Sequence, residues 1–123
     1  MARILLVEDD DLVCRSLRMT LEAYGHAVQS FADGRKAVEL LRQQGGFDVV
    51  ITDILMPDMD GLELIRAVRS LAPDIRVIAM SGGGRRGNQD FLQFASTFGA
   101  DVVLSKPFTG EALMDTLTEI LKP

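Results

Sequence analysis

Ile4-Leu5-Leu6-Val7-Glu8-Asp9, near the start of the chain, is an unbroken apolar run that stops at two acids. A strand that is apolar on both faces belongs in a parallel sheet covered on both sides. The same grammar recurs further along. Val49-Val50-Ile51-Thr52 runs into Asp53, Val77-Ile78-Ala79-Met80 into Ser81, and Asp101 to Ser105 into Lys106. Between these stretches the apolar spacing turns helical. Asp10 or Asp11 caps a first helix with Val13, Leu17, Leu21 and Tyr24 inward, ending at Gly25. Ala27 to Phe31 reads as a shorter, more polar second strand near a sheet edge. Asp33 caps a second helix with Ala37, Val38 and Leu41 inward and Gly45-Gly46 as its stop. Asp60 with Glu63 forms a capping-box-like start to a third helix through Leu62, Ile65 and Val68, closed by Pro73. A less regular fourth helix surrounds Phe91, Leu92 and Ala95. Thr109 caps a fifth, with Leu113, Leu117, Ile120 and Leu121 apolar.

Five alternating strand and helix units predict an α/β protein with an open, doubly wound, five-stranded parallel sheet and helices on both faces. Its crossovers should be right-handed. A closed barrel of such units takes about 250 residues, and this chain has 123. Neither linker, repeat nor low-complexity stretch interrupts it, so residues 1–123 read as one domain.

Composition narrows the function classes. The chain is 47% hydrophobic and 25% charged, ordinary for a soluble globular protein. A net charge of −5 argues against a nucleic-acid surface, which needs Lys and Arg to neutralise phosphates. Cys14 is the only cysteine, so no internal disulfide forms and a reducing, cytoplasmic location is expected. Met1 to Asp10 reaches acidic residues too soon for a signal peptide. No apolar run approaches the roughly 18 residues of a membrane span.

If the apolar runs are parallel strands, Glu8, Asp9, Asp53, Ser81 and Lys106 all lie at the C-terminal edge of the sheet, where open α/β sheets build their sites. Neighbouring strands are about 4.8 Å apart, so Glu8, Asp9 and Asp53 crowd together if the first and third strands pair. Crowded carboxylates raise one another's pKa unless a cation sits among them. Mg²⁺ suits that place, being a hard ion that takes oxygen ligands, keeps several waters and bridges to phosphate. The three carboxylate charges would balance Mg²⁺ plus Lys106. Asp53 can then serve as nucleophile towards a phosphorylated donor. Lys106 and the metal would stabilise charge on the transferring group, and Ser81 would supply a hydroxyl. Taken singly these residues are ordinary. Asp10 and Asp11 read as a cap and a first-turn acid, and an Asp after a strand is commonly a turn former. The specificity comes from five suitable side chains following four different strands.

The stretches Ile4–Asp10, Asp53–Gly61, Ala79–Gly82 and Ser105–Phe108 resemble the receiver domain of two-component response regulators of the chemotaxis-regulator type, and the likeness covers essentially the whole chain. The resemblance implies a flavodoxin-like (βα)5 sheet of strand order 2-1-3-4-5. It implies that Asp53 accepts a phosphoryl group from a phosphohistidine on a sensor histidine kinase or a histidine phosphotransfer protein. Asp9 would hold Mg²⁺ directly, Glu8 through water, and the backbone carbonyl of Leu55 would be the third protein ligand. Ser81 would move towards the phosphoryl group and Lys106 would pair with it, with a cis bond between Lys106 and Pro107. Phosphorylation would then switch the face made by the fourth helix, fifth strand and fifth helix, where in this family either partners dock or a second copy docks as a homodimer. The protein would be no enzyme beyond this self-catalysed transfer and its own slow dephosphorylation, which Leu55 would retard by crowding water.

Two positions depart from the family. Val103 stands where receivers commonly carry the Tyr or Phe that rotates inward as the Ser/Thr shifts, so the signal is expected to pass through the loop after Ser81. That loop, Gly82–Gly87, is rich in glycine and carries Arg85 and Arg86. Glycines tolerate positive φ, and the loop is expected to be mobile until phosphorylation orders it.

Other readings compete. A degenerate receiver could serve as a phosphorylation-independent interaction module, an option Val103 keeps open. Gly82–Gly87 also matches the Gly-x-Gly-x-x-Gly of dinucleotide-binding domains, with Asp101 near the spacing of a ribose-binding acid, though it follows the fourth strand rather than the first. A dehalogenase-type phosphatase wants an acid where Leu55 stands, and Gly87-Asn88-Gln89 is no P-loop. His26, the only histidine, has no evident triad partner, and Cys14 reads as helix packing. The chain reads equally as a stand-alone receiver or as part of a longer regulator or hybrid kinase.

Overall fold

Arg3–Val7 (β1), Ala27–Phe31 (β2), Val49–Asp53 (β3), Arg76–Ser81 (β4) and Val102–Ser105 (β5) pair into one parallel sheet in the order β2-β1-β3-β4-β5. The coordinates are a computed structural model that describes residues 1–54, 61–81 and 99–122. Among these lie four helices: Asp11–Ala23 (α1), Gly34–Gln44 (α2), Gly61–Leu71 (α3) and the C-terminal helix Gly110–Ile120. The expected fourth helix around Phe91, the Asp60 cap, the carbonyl of Leu55 and the loop Gly82–Gly87 with its mobility lie outside the described residues.

The pleat sends alternate strand residues to opposite faces. Leu5, Val7, Val50, Val77 and Ala79 join Leu41 of α2 and Leu64, Ile65 and Val68 of α3 in one core. Ile4, Leu6, Ile51, Ile78 and Met80 join Leu21 of α1 and Leu113 and Leu117 of the C-terminal helix in the other. Each of these Val, Leu, Ile and Met side chains contributes about 1.5–3 kcal/mol on burial, and β3, buried along its whole length, sits at the centre. The edge position of β2 accounts for its greater exposure, with only Val28 buried.

Helix starts follow the predicted caps. Asp10, rather than Asp11, caps α1 through Leu12 and Val13 N–H groups, Asp33 caps α2 through Arg35, and Thr109 caps the C-terminal helix through Ala112. Tyr24 differs from the expected inward stripe. It is the C-cap of α1, no longer helical, and 61% of it is exposed. No helix among the described residues is long and apolar enough to cross a membrane.

Candidate functional site

Parallel register brings the strand ends together. Val7 lies opposite Thr52, Asp53 opposite Met80, and Ser81 opposite Ser105, so the residues that end or follow these strands share one edge. Glu8 extends the ladder past β1 by donating its N–H to Phe31 O at 3.0 Å. That fixes its side chain inward, 1% exposed, while Asp9 stays exposed. The Glu8 carboxylate accepts from the Asp10 N–H at 3.1 Å, and Asp10 itself is committed to capping α1. Asp53, the last residue of β3, is also buried. Carboxylate oxygens of Glu8, Asp9 and Asp53 lie within 4.8 Å of one another.

Lys106 enters from the far side. Its N–H donates to Ser81 O at 2.7 Å, continuing the β4–β5 ladder, and the Lys106–Pro107 bond is cis. Its ammonium donates to Asp53 Oδ2 at 2.9 Å and to Glu8 Oε1. Ser81 Oγ, on the same edge, is the buried side-chain polar atom without a partner among the described residues. Val103 is half-buried and packs against the core beneath α2 and α3.

Burial dominates the electrostatics. It pushes the Glu8 carboxyl above the usual carboxylate range, with the Asp53 charge adding to the rise, against the pull of the Lys106 and Asp10 hydrogen bonds. Burial also works against the Lys106 ammonium, but its bonds to Glu8 and Asp53 outweigh that and raise it, so Lys106 stays charged. Among the described residues, three carboxylates thus share one ammonium. Three carboxylates form the hard oxygen donor set that Mg²⁺ prefers, so these residues fit that ion.

A family model described as the response regulator receiver domain matches residues 4–118. The chain belongs to that family. It is 38% identical over 127 residues to the response regulator receiver protein CpdR of Brucella abortus, covering 99% of this chain and 96% of that one. It is 37% identical over 122 residues to the sensor kinase CckA of the same organism, covering 98% of this chain but only 13% of the kinase. Among solved structures, the chemotaxis response regulator CheY4 of Vibrio cholerae superposes with a TM-score of 0.86 at 33% identity, over 98% of this chain and 99% of that one. The fold is thus the flavodoxin-like, CheY-like receiver fold. Receiver domains generally bind Mg²⁺ and take phosphoryl groups from histidine kinases, and the acidic cluster of this receiver could hold such a metal.

The dinucleotide reading is overturned by this membership and by topology. Asp101 precedes β5 and accepts from the Val77 N–H at 2.7 Å, at the N-terminal edge of the sheet. Ser81, which Gly82–Gly87 follow in sequence, ends β4 at the opposite edge. Nothing in the sequence around Gly61, beyond its place in a motif, shows that its backbone reaches the end of β3, where its N–H donates to Ile54 O.

Proposed function

We propose that this receiver accepts a phosphoryl group on Asp53 from a phosphohistidine donor and passes the signal on by a change of conformation. The observation that carries the reading is the meeting of Glu8, Asp9 and Asp53 with Lys106 at one sheet edge. In the transfer, the donor's P–N bond breaks, its electron pair returning to the imidazole, as an Asp53 carboxylate oxygen forms the new P–O bond. Bound among Glu8, Asp9 and Asp53, with the Leu55 carbonyl as a further proposed ligand, Mg²⁺ would neutralise charge on the phosphoryl oxygens. Lys106, already 2.9 Å from Asp53, supplies a fixed positive charge. Ser81 Oγ, buried and without a partner among the described residues, would find an acceptor in a phosphoryl oxygen, which favours its movement towards Asp53.

An apolar cleft of about 400 Å³, lined by Leu12, Val13, Leu17, Pro107 and Phe108, abuts Lys106, and Leu12 is 75% exposed. A protein donor suits such a surface better than a small phosphate ester. On this reading the donor is a sensor histidine kinase or a histidine phosphotransfer protein, and the setting is the cytoplasm. The receiver turns over no substrate of its own, apart from slowly hydrolysing its acyl phosphate. Output runs through Ser81 and the β5–C-terminal helix face rather than through a rotating ring, because Val103 has none to rotate. A second copy docking on that face would give a phosphorylation-dependent dimer, visible by size-exclusion chromatography.

The test is intact mass after incubation with acetyl phosphate, with Mg²⁺ and with EDTA. A single phosphoryl adduct is expected with Mg²⁺ alone, absent in Asp53→Asn. No adduct from acetyl phosphate or from a panel of phosphohistidine proteins, together with no Mg²⁺ binding, would move the function to a phosphorylation-independent interaction module.

A further inference from the structure

Gly61 opens α3 and is buried against the acceptor strand. Its N–H donates to Ile54 O at 2.6 Å. A Cβ built on it would lie 2.5 Å from Ile54 Cα, 3.0 Å from the Asp53 carbonyl carbon, and closer than either to the Asp53 carbonyl oxygen. All three are backbone atoms, so none can swing aside as a side-chain tip can. Gly61 is not among the glycines of positive φ, and it is space rather than backbone conformation that demands glycine here. The turn glycines Gly25 and Gly45 show the converse, with positive φ and nothing within 4 Å of an added Cβ. The acceptor cannot retreat either. Asp53 is paired with Met80 in the sheet, and Ile54 N–H donates to Met80 O at 2.9 Å.

We propose that Gly61 is a positioning residue for the acceptor: its bare Cα lets the first turn of α3 press on the Asp53–Ile54 backbone and hold the Asp53 carboxylate among Glu8, Asp9 and Lys106. This rests on the reading of Asp53 as the acceptor. A methyl at position 61 forces the contact open by several tenths of an ångström. The strand end shares the strain, because Leu64, Ile65 and Val68, on the same face of α3 as Gly61, are buried in the core with Val50, Ile54 and Val77 and resist lifting of the helix. A reacting group misplaced by about 1 Å loses on the order of 100-fold in rate. The carboxylate spacing that a metal needs changes with it.

The experiment compares wild type, Gly61→Ala and Val68→Ala, the last a cavity on the same helix outside the site. Mg²⁺ affinity is read by amide NMR titration without any phosphoryl donor, phosphorylation by the acetyl phosphate dependence of the initial rate, and stability by Tm. Gly61→Ala should weaken Mg²⁺ binding about tenfold and slow phosphorylation about 100-fold, while Val68→Ala lowers Tm and leaves both within about twofold. Equal Mg²⁺ affinity and rate in Gly61→Ala and Val68→Ala would overturn the proposal. If Gly61→Ala does not fold in buffer, the readings are taken in trimethylamine N-oxide, which favours burial. Failure to fold even there would make the residue structural and overturn the proposal too. Absence of any phosphoryl adduct in the wild type would sink the acceptor reading instead, with the Mg²⁺ titration still deciding the role of Gly61.

Discussion

At the N-terminal edge of the sheet the Arg69 guanidinium spreads over Gly99 O, Pro73 O, Ile75 O and the Asp101 carboxylate, whereas at the C-terminal edge Lys106 alone, among the described residues, faces three carboxylates. At the first edge charges are matched. Asp101 accepts from both Arg69 and the Val77 N–H, and Asp48 Oδ2 accepts from the Arg3 N–H at 2.8 Å. Arg3 in turn donates to Gly46 O and lies 4.7 Å over the Phe47 ring. At the second edge a buried carboxyl is held out of its usual range and a buried hydroxyl lacks a partner among the described residues. One edge closes the fold, whereas the other gathers, among the described residues, three carboxylates around one ammonium, an arrangement that fits a bound cation. Stability and function are therefore separable by edge, and mutations should sort accordingly.

Arg69→Ala is the largest expected effect. It removes charge-assisted bonds to three carbonyls and leaves Asp101 without its counter-charge, which should cost about 2–4 kcal/mol. Urea unfolding would read this loss, and Mg²⁺ affinity should stay unchanged. A parallel fall in Mg²⁺ affinity would break the separation.

Glu8→Gln should act in the opposite sense. Because the folded state raises the Glu8 pKa, its contribution to stability is present at acid pH and lost as pH rises through that raised value. Near neutrality and without metal, an uncharged Gln relieves the repulsion and the burial of a charge, and keeps its one oxygen for Lys106, which outweighs the lost bond from the Asp10 N–H. The metal-free Tm should therefore rise by a few degrees while Mg²⁺ affinity falls. In the wild type, Mg²⁺ affinity should begin to weaken on acidification while the pH is still above the ordinary Glu value of 4.5. A metal-free Tm that drops in Glu8→Gln would contradict the charge imbalance.

The smallest effect belongs to His26 at the closed edge. Its Nδ1 accepts the Ala2 N–H at 3.1 Å. Burial first, and the amino-terminal charge second, lower its pKa below 6.5. A lowered histidine pKa gives stability that is present above 6.5 and lost as pH falls through the folded value. His26→Gln should flatten this shallow acid slope in Tm, with no change in phosphorylation.

The fold was legible because its strands are apolar on both faces and each helix starts at a local cap. Asp33 and Thr109 act within three residues of themselves, and Gly45 stops α2 where the Gly-Gly pair stands. The gathering of the five candidate residues at one sheet edge was legible for the same reason, each following an apolar run as its polar stop. What the sequence hid depends on distance or direction. The Arg69 fork reaches 30 residues ahead to Gly99, and nothing in the local pattern separates it from a surface arginine. Glu8 and Asp9 look alike in sequence, yet the extra ladder bond to Phe31 buries one and leaves the other exposed. Gly61 was visible as a motif letter, but the reason for it is a contact with the backbone of β3 across the fold.

The most direct test of the central claim is to trap the acyl phosphate and locate it. Borohydride reduces an acyl phosphate to the alcohol, so the phosphorylated and reduced receiver would carry homoserine in place of the modified aspartate. Peptide mapping should find that change at Asp53 and at no other acid. Reduction product at Glu8 or Asp9, or an adduct that forms equally in EDTA, would contradict an acceptor held on β3 by the metal-binding edge.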